Sequence, residues 1–518
     1  MATQDEKTAP FSPPEDRVPA YSRASSPSLE QDVALGLVGE HAQDIDPAVE
    51  ARVLKKIDWF LIPAMIVGYG LVYYDKAILG SAVLFGLTTD LHLSVVNTST
   101  IPPTVNTSRL SWATSLFYFG MLAGLYPLTF ALQRFNLGRI LGGVVVLWAL
   151  ICMLTAAVTS YKGLYVQRFA LGFVESIIPT GFMCIVSGYY TQREQALRQS
   201  WWFSSTGLWT IIGGALNYAF AQISSGSLKR WQYIYLLAGC LTFLFGVWCF
   251  ILPNSPATAF FLTPSERIVA IERLRTSATG VRCQAIKPNQ LREALFDIKI
   301  YLVFVLMASA YTVNGAVSGF GPLIVSTFGW SSLESILWQF PLGGICFLTI
   351  LLSGWLSSRI QNIRIVLLVV NCLPVIAGCA MIWKSNWTYH APLPVVGYSI
   401  IGTFGAVVSQ TISIGMSNVA GATKKSAMAA VIFAAYCVGN IVGPQLIKSQ
   451  TKAQHYPELW TGLIICYCIT IAAAGALYVV LWRENTRRQA LGGEEQERDK
   501  MAFMDLTDVE NKYFRYVL

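Results

Sequence analysis

Four ionisable residues stand inside long apolar runs of this 518-residue chain: Asp75, Lys76, Arg168 and Glu175. A charge within a membrane span is costly, so by default it marks a solute or proton pathway. Arg168 and Glu175 are seven positions apart, which on a helix places them on one face about two turns from each other. Facing inward, such a pair could hold a carboxylate on the guanidinium and carry a coupling proton on the glutamate. A carboxyl group desolvated in a cavity gives up its proton at a higher pH than in water, close to neutrality. The competing reading is a structural ion pair that ties the fourth span to a neighbour.

Asp75 and Lys76 are adjacent and cannot face the same partner. A helix beginning at Ile57 carries Lys76 about 28 Å along its axis, in the outer half of a span that continues to Leu87. A fixed positive charge there would attract an anionic solute. The alternative is a lysine snorkelling to the outer interface, but Asp75 beside it would be an odd choice for a lipid-facing site. Weaker polar candidates are Tyr311 and Asn314 on the seventh span, Gln410 on the tenth, and Tyr436 and Asn440 on the eleventh. Transporters built from repeats bind solute near the bilayer midplane between those repeats; in a plan of six helices, a charged loop and six more, the first, fourth, seventh and tenth are expected to supply most of the cavity. Each of these five residues, taken alone, reads first as a packing hydrogen bond and only second as a ligand.

Other chemistry finds no foothold. No HExxH motif, P-loop or paired catalytic carboxylates occur, and His41, His92, His390 and His455 are scattered through tails and loops. Most of the 11 cysteines lie in apolar runs with no CxxC spacing, as at Cys152, Cys249 and Cys379, where cysteine acts as a small hydrophobe. The reading is therefore of a non-enzyme with no metal and no cofactor, the proton serving as coupling ion.

The elements that must position these residues are membrane helices. The chain is 54% hydrophobic and 13% charged, against about 25% charged for a soluble domain, and its mean hydropathy is +0.50. Trp59, Trp201, Trp202, Trp231 and Trp482 sit at the ends of apolar runs, as an interfacial belt requires. The net charge of +8 is spread over short loops, which argues against nucleic acid. Runs long enough to cross a bilayer lie at Ile57–Leu87, Ser111–Leu132, Ile140–Thr159, Leu164–Tyr190, Ser200–Ile223 and Trp231–Leu252. After a charged stretch come Ile300–Phe328, Leu333–Leu356, Ile363–Trp383, Pro394–Met416, Ala427–Ile447 and Leu459–Trp482. The expected fold is an all-α membrane protein of the major facilitator kind, with twelve transmembrane helices in two six-helix pseudo-symmetric halves. Its expected divisions are a disordered cytoplasmic tail (1–50), an N-terminal bundle (51–252), a central cytoplasmic loop (253–299), a C-terminal bundle (300–482) and a second tail (483–518).

No cleavable signal is visible, so the first span is expected to act as its own insertion signal. Basic residues concentrate in alternate connections, such as Arg134, Arg139, Arg193, Arg198, Lys424 and Lys425, which predicts that both termini are cytoplasmic. Glycosylation sequons at Asn97, Asn106 and Asn386 all fall in loops that this topology places outside. Gly207, Gly213 and Gly214 on the fifth span, with Gly439, Gly443 and Pro444 on the eleventh, suit helices that touch closely and bend.

Several separated stretches resemble one family. RFALGFVESIIPTGF (Arg168–Phe182), GYYTQREQALRQSWWFS (Gly188–Ser204), LPNSPATAFFLTPSER (Leu252–Arg267), SNVAGATKKSAMAAVIFAAYCVGNIVGPQLI (Ser417–Ile447) and DLTDVENKYFRYVL (Asp505–Leu518) are similar, in order, to the allantoate permease-like branch of the fungal anion:cation symporters, within the major facilitator superfamily. The likeness runs from about Lys55 to Leu518. It implies proton-coupled import, across the cell membrane, of a small carboxylate-bearing solute of the allantoate, vitamin or small-peptide class, by a protein for which a monomer suffices. The superfamily's gating motif survives only in part, as Arg134, Gly138 and Arg139 in YPLTFALQRFNLGRI (Tyr126–Ile140) and as Gly354, Arg359 and Arg364 in the second half. An efflux antiporter for a toxin, drug or metabolite is the alternative. Against it, TGLWTIIGGALNYAF (Thr206–Phe220) lacks the proline usual in antiporters of this fold. A solute sensor is a third reading, disfavoured by short tails.

Overall fold

The computed structural model describes residues 46–97, 104–223, 227–275, 287–387, 391–490 and 506–518. The expected N-terminal tail therefore lies outside the described residues except at its end, and there it needs correction. The first helix begins at Pro47, not after residue 50. Pro47 has no amide hydrogen to leave unpaired at a helix start, and the Asp46 side chain accepts from Ala48 N at 3.0 Å.

Eleven helices among the described residues are long and apolar enough to cross a membrane. The remaining crossing, the fifth, comes in two pieces, Gln192–Phe203 and Ser205–Ala221. At their joint the Ser204 hydroxyl donates back to Trp201 O at 2.7 Å and Thr206 to Phe203 O at 3.0 Å, contacts that bend helices. The fourth span is also interrupted, at Ser176, between Tyr161–Glu175 and Ile177–Tyr189. Pro179 cannot donate to the Glu175 carbonyl one turn earlier, so the ladder weakens beside the buried glutamate.

Packing repeats between the halves. Span 1 packs on span 5, span 2 on span 4 and span 3 on span 6. In the second half span 7 packs on span 11, span 8 on span 10 and span 9 on span 12. The halves meet where span 1 touches span 7, span 2 touches span 11 and span 5 touches span 8. Twelve crossings in two related sixes are thus arranged around one central seam. The long loop between the first and second spans adds a short antiparallel ladder, Val95–Asn97 with Thr104–Asn106, which the sequence reading did not foresee.

The connection between the halves is not a plain loop. Pro264–Arg275 is helical and binds the first half, Arg273 reaching Glu194 at 2.5 Å and Glu50 at 3.3 Å. Pro288–Phe296 binds the second half, where Lys424 meets Glu293 at 2.6 Å.

The C-terminal stretch differs most from a free tail. The last helix runs on to Ala490, and residues 506–518 fold back onto the second half. Asn418 and Asn485 side chains pair with the backbone of Val517 and Tyr516 as a neighbouring strand would. Asp508 is fully buried and takes Lys424 at 2.8 Å, Tyr516 Oη at 2.9 Å and Lys299. Burial alone would raise its pKa, but Lys299 and Lys424 hold it below the ordinary carboxylate value. A carboxylate with a depressed folded pKa contributes stability above its unfolded pKa and loses it only as pH falls through the folded value. Docking of this segment should therefore be unchanged from about pH 7.5 to about pH 5.5. Asp508→Asn leaves buried ammonium groups short of a counter-charge, a change that costs about 3–5 kcal/mol. We expect it to lower the unfolding midpoint of detergent-solubilised protein by several degrees and to expose the segment to protease. An unchanged midpoint would show that the docked segment adds nothing to stability.

Candidate substrate and proton site

Along the first span, Tyr69, Val72, Tyr73 and Lys76 recur at the spacing of one helical face, and that face lines a crevice in the seam. Phe203 and Thr206 of the fifth span, Tyr311 and Asn314 of the seventh, Phe404 and Gly405 of the tenth and Tyr436 of the eleventh complete it. In this conformation its walls close in to leave room for about one water molecule. A second narrow space shares Tyr73 and continues along the seam past Thr210, Asn217, Ser318 and Gln339.

The charged centre is the Lys76–Glu175 pair. Their closest N···O distance is 2.7 Å, with side-chain exposures of 7% and 0%. The approach is that of an ion pair and not of a directed hydrogen bond, since neither Glu175 oxygen has a well-aligned donor. The Lys76 ammonium also lies over the Phe117 ring at 5.4 Å and the Tyr436 ring at 5.8 Å, a cation–π setting that offsets part of its lost hydration. Lys76 does not snorkel. It points inward at the seam, where Tyr436 of the other half closes over it.

Asp75 turns the other way, as adjacency requires. It accepts from Trp148 Nε1 at 3.2 Å and from Cys152 Sγ at 3.4 Å, both on the third span. Arg168 donates to Tyr235 Oη at 2.5 Å inside the first half. Arg168 and Glu175 share a helix, but about 10 Å of rise separates them, enough to set them against different neighbours. The two therefore do not form one anion-and-proton site: Glu175 reaches the crevice wall through Lys76, while Arg168 and Asp75 belong to the bundle interior. Gln410 is likewise internal, accepting from Ser357 at 3.1 Å within the second half. Tyr311, Asn314 and Tyr436 do line the crevice. Asn440 stands behind them, accepting from Asn314 Nδ2 at 2.7 Å.

Among the gating candidates, Gly354 lies at an inter-half contact, where a side chain would collide with Ser200 Oγ of the fifth span. Arg134, Arg139 and Arg359 are exposed, the last with its guanidinium 6.0 Å from the Trp355 ring. Arg364 is buried and bonds Ser417 Oγ at 2.6 Å, while its amide donates to the Leu518 carbonyl. Asn106 and Asn386 are exposed. Asn97 falls in the short ladder, and its side chain lies outside the described residues. Sequence reasoning missed Tyr69, Tyr73, Phe203, Thr206 and Phe404. The recurrence of Tyr69, Tyr73 and Lys76 on one face of an apolar helix was the signal available.

An all-helical bundle of two related halves, with a buried ion pair at the seam, has the form of a solute carrier. Residues 65–444 match the Major Facilitator Superfamily. The chain is 32% identical to transporter C417.10 of Schizosaccharomyces pombe, over 92% of this chain and 91% of that one. It is 30% identical to the allantoate permease of Saccharomyces cerevisiae, over 93% and 89% respectively. The thiamine pathway transporter of the same yeast is 28% identical over 95% and 91%. Among solved structures, the proton:xylose symporter XylE superposes with a TM-score of 0.61 at 14% identity, covering 84% of this chain and 96% of that one. The chain is a membrane transporter of the Major Facilitator Superfamily, not an enzyme. Within that superfamily it belongs to the fungal branch that includes the allantoate permease.

Proposed function

We propose that the protein imports a small organic anion together with a proton, and that Lys76 and Glu175 are the groups that couple them. The observation that carries this reading is the buried Lys76–Glu175 pair at the wall of the seam crevice. In the empty carrier the two charges cancel. A proton arriving on Glu175 releases Lys76, whose ammonium then takes the carboxylate of the solute. The loaded site holds a neutral carboxyl group, an ammonium and a carboxylate, and again sums to zero. Both forms can then be occluded in the membrane without an unbalanced charge, which is the costly alternative. Each ligand favours the other, because an ionised Glu175 competes with the solute for the same ammonium.

The sharing of this branch with an allantoate permease supports a carboxylate-bearing solute and import as the direction. The alternation of basic connections supports cytoplasmic termini, and the exposed sequons Asn106 and Asn386 support the opposite face as external. A fungal cell membrane is the location that fits both.

The charge balance yields a test. In proteoliposomes, uptake of a labelled monocarboxylate should follow an inward acid gradient and ignore an imposed membrane potential. Uptake driven by potential alone, or indifferent to the proton gradient, would overturn the coupling scheme. Greater loss of a preloaded compound than of water-filled controls, with no uptake, would turn the reading to export.

A further inference from the structure

The orientation of one buried amide can be deduced without seeing its hydrogens. Asn440 Nδ2 lies 2.8 Å from the backbone carbonyl of Tyr436, and a carbonyl oxygen can only accept. The nitrogen of Asn440 must therefore face that carbonyl, which turns its Oδ1 toward the seventh span. Asn314 stands 2.7 Å from that oxygen, so Asn314 must offer its own nitrogen. Its Oδ1 is left pointing away, on a side chain that is 2% exposed, and this oxygen has no partner. Asn314 lines the crevice that holds Lys76.

The relay has little freedom to turn. Spans 7 and 11 touch backbone to backbone here, since a methyl group built on Gly315 would stand 2.8 Å from Asn440 Cα. The two amides are thus held in register by close backbone packing, and Tyr436, whose carbonyl starts the chain, also covers the Lys76 ammonium. A buried acceptor with no donor is costly, and it persists most readily where a ligand supplies the donor.

We infer that Asn314 is a specificity-determining residue: a solute whose carboxylate pairs with Lys76 must also present an N–H or O–H donor to Asn314 Oδ1. This rests on the anion reading of the same crevice and adds a second point of recognition from the other half of the molecule. A solute that joins Lys76 of the first span to Asn314 of the seventh would bridge the two halves, so only a correctly equipped anion would draw them together. A site built to receive a donor discriminates strongly against an isostere lacking it, because the acceptor is then left buried and bare.

The test uses full-length protein in proteoliposomes under an inward acid gradient, with pairs of acids that differ only by NH or CH2. N-acetylglycine against levulinate, N-acetyl-β-alanine against 5-oxohexanoate, and hippurate against 3-benzoylpropionate cover three sizes. In at least one pair the N–H member should enter about tenfold to a hundredfold faster than its CH2 partner. Asn314→Leu should narrow that ratio to about twofold, with folding followed by size-exclusion profile; the comparison on unaltered protein stands if this variant misfolds. Equal uptake of both members in every transported pair would overturn the role of Asn314 and leave the anion reading intact. No uptake of any of these acids would overturn the anion reading, and the inference with it.

Discussion

Glu175→Gln is expected to abolish concentrative uptake while leaving exchange of solute across the membrane intact. Glutamine resembles the protonated glutamate in shape and charge, so Lys76 stays available to the anion at every pH. The loaded carrier can still reorient. The empty one now carries an uncompensated ammonium in a site where Lys76 has a side-chain exposure of 7%, and its return becomes the slow step. Breaking a buried pair by removing one partner costs about 3–5 kcal/mol, equivalent to a hundredfold or more in the population of the return state. Counterflow should therefore persist while accumulation against a gradient disappears. Lys76→Met should lose both activities, since the group that holds the carboxylate is gone. The double variant, neutral like the native pair, should recover normal folding without transport. Concentrative uptake by Glu175→Gln at native levels would remove this residue from coupling and direct attention to Asp75, the next buried carboxylate on the first span.

How far the sequence foretold this site depends on what periodicity can express. Charges inside apolar runs are conspicuous because lipid tolerates few of them, and the four that stood out are all buried. Their partners were not legible. A seven-residue spacing fixes the face shared by Arg168 and Glu175 but says nothing of which neighbour stands at each depth. One therefore meets Tyr235 and the other Lys76. Tyr69 and Tyr73 escaped notice for a related reason: on an apolar helix, tyrosine reads as an interfacial residue until its position across the seam is known. For Gln410 the packing reading is the one that holds, a hydrogen bond with Ser357, and polarity on the tenth span alone could not decide it. The docked C-terminal segment was beyond reach altogether. Leu506, Val509, Phe514, Val517 and Leu518 make it apolar enough to dock, but nothing local names the surface: Asp508 is held by Lys299 and Lys424, 209 and 84 positions away.

Replacing Gly207 by Val should stop transport without stopping folding. A methyl group on Gly207 would stand 2.4 Å from the Gly343 carbonyl oxygen and 2.5 Å from Phe347 N, and one on Gly343 would stand 2.7 Å from the Gly207 carbonyl oxygen. Spans 5 and 8 thus meet backbone to backbone, one from each half, beside the Thr206 wall of the crevice. Overpacking costs about 1–3 kcal/mol or more, but here the cost falls on the approach of the halves and not on the core of either. The equilibrium should shift toward conformations in which the two spans separate, lowering the rate at matched surface level by about tenfold to a hundredfold. Gly172 supplies the contrast. A side chain there would meet the Phe117 carbonyl oxygen at 1.8 Å, between spans 2 and 4 of the same half, so Gly172→Val should deplete the protein itself. Surface labelling and initial uptake rates, measured on both variants, separate the two effects. A native rate in Gly207→Val would mean that the cycle never requires spans 5 and 8 to close to this distance.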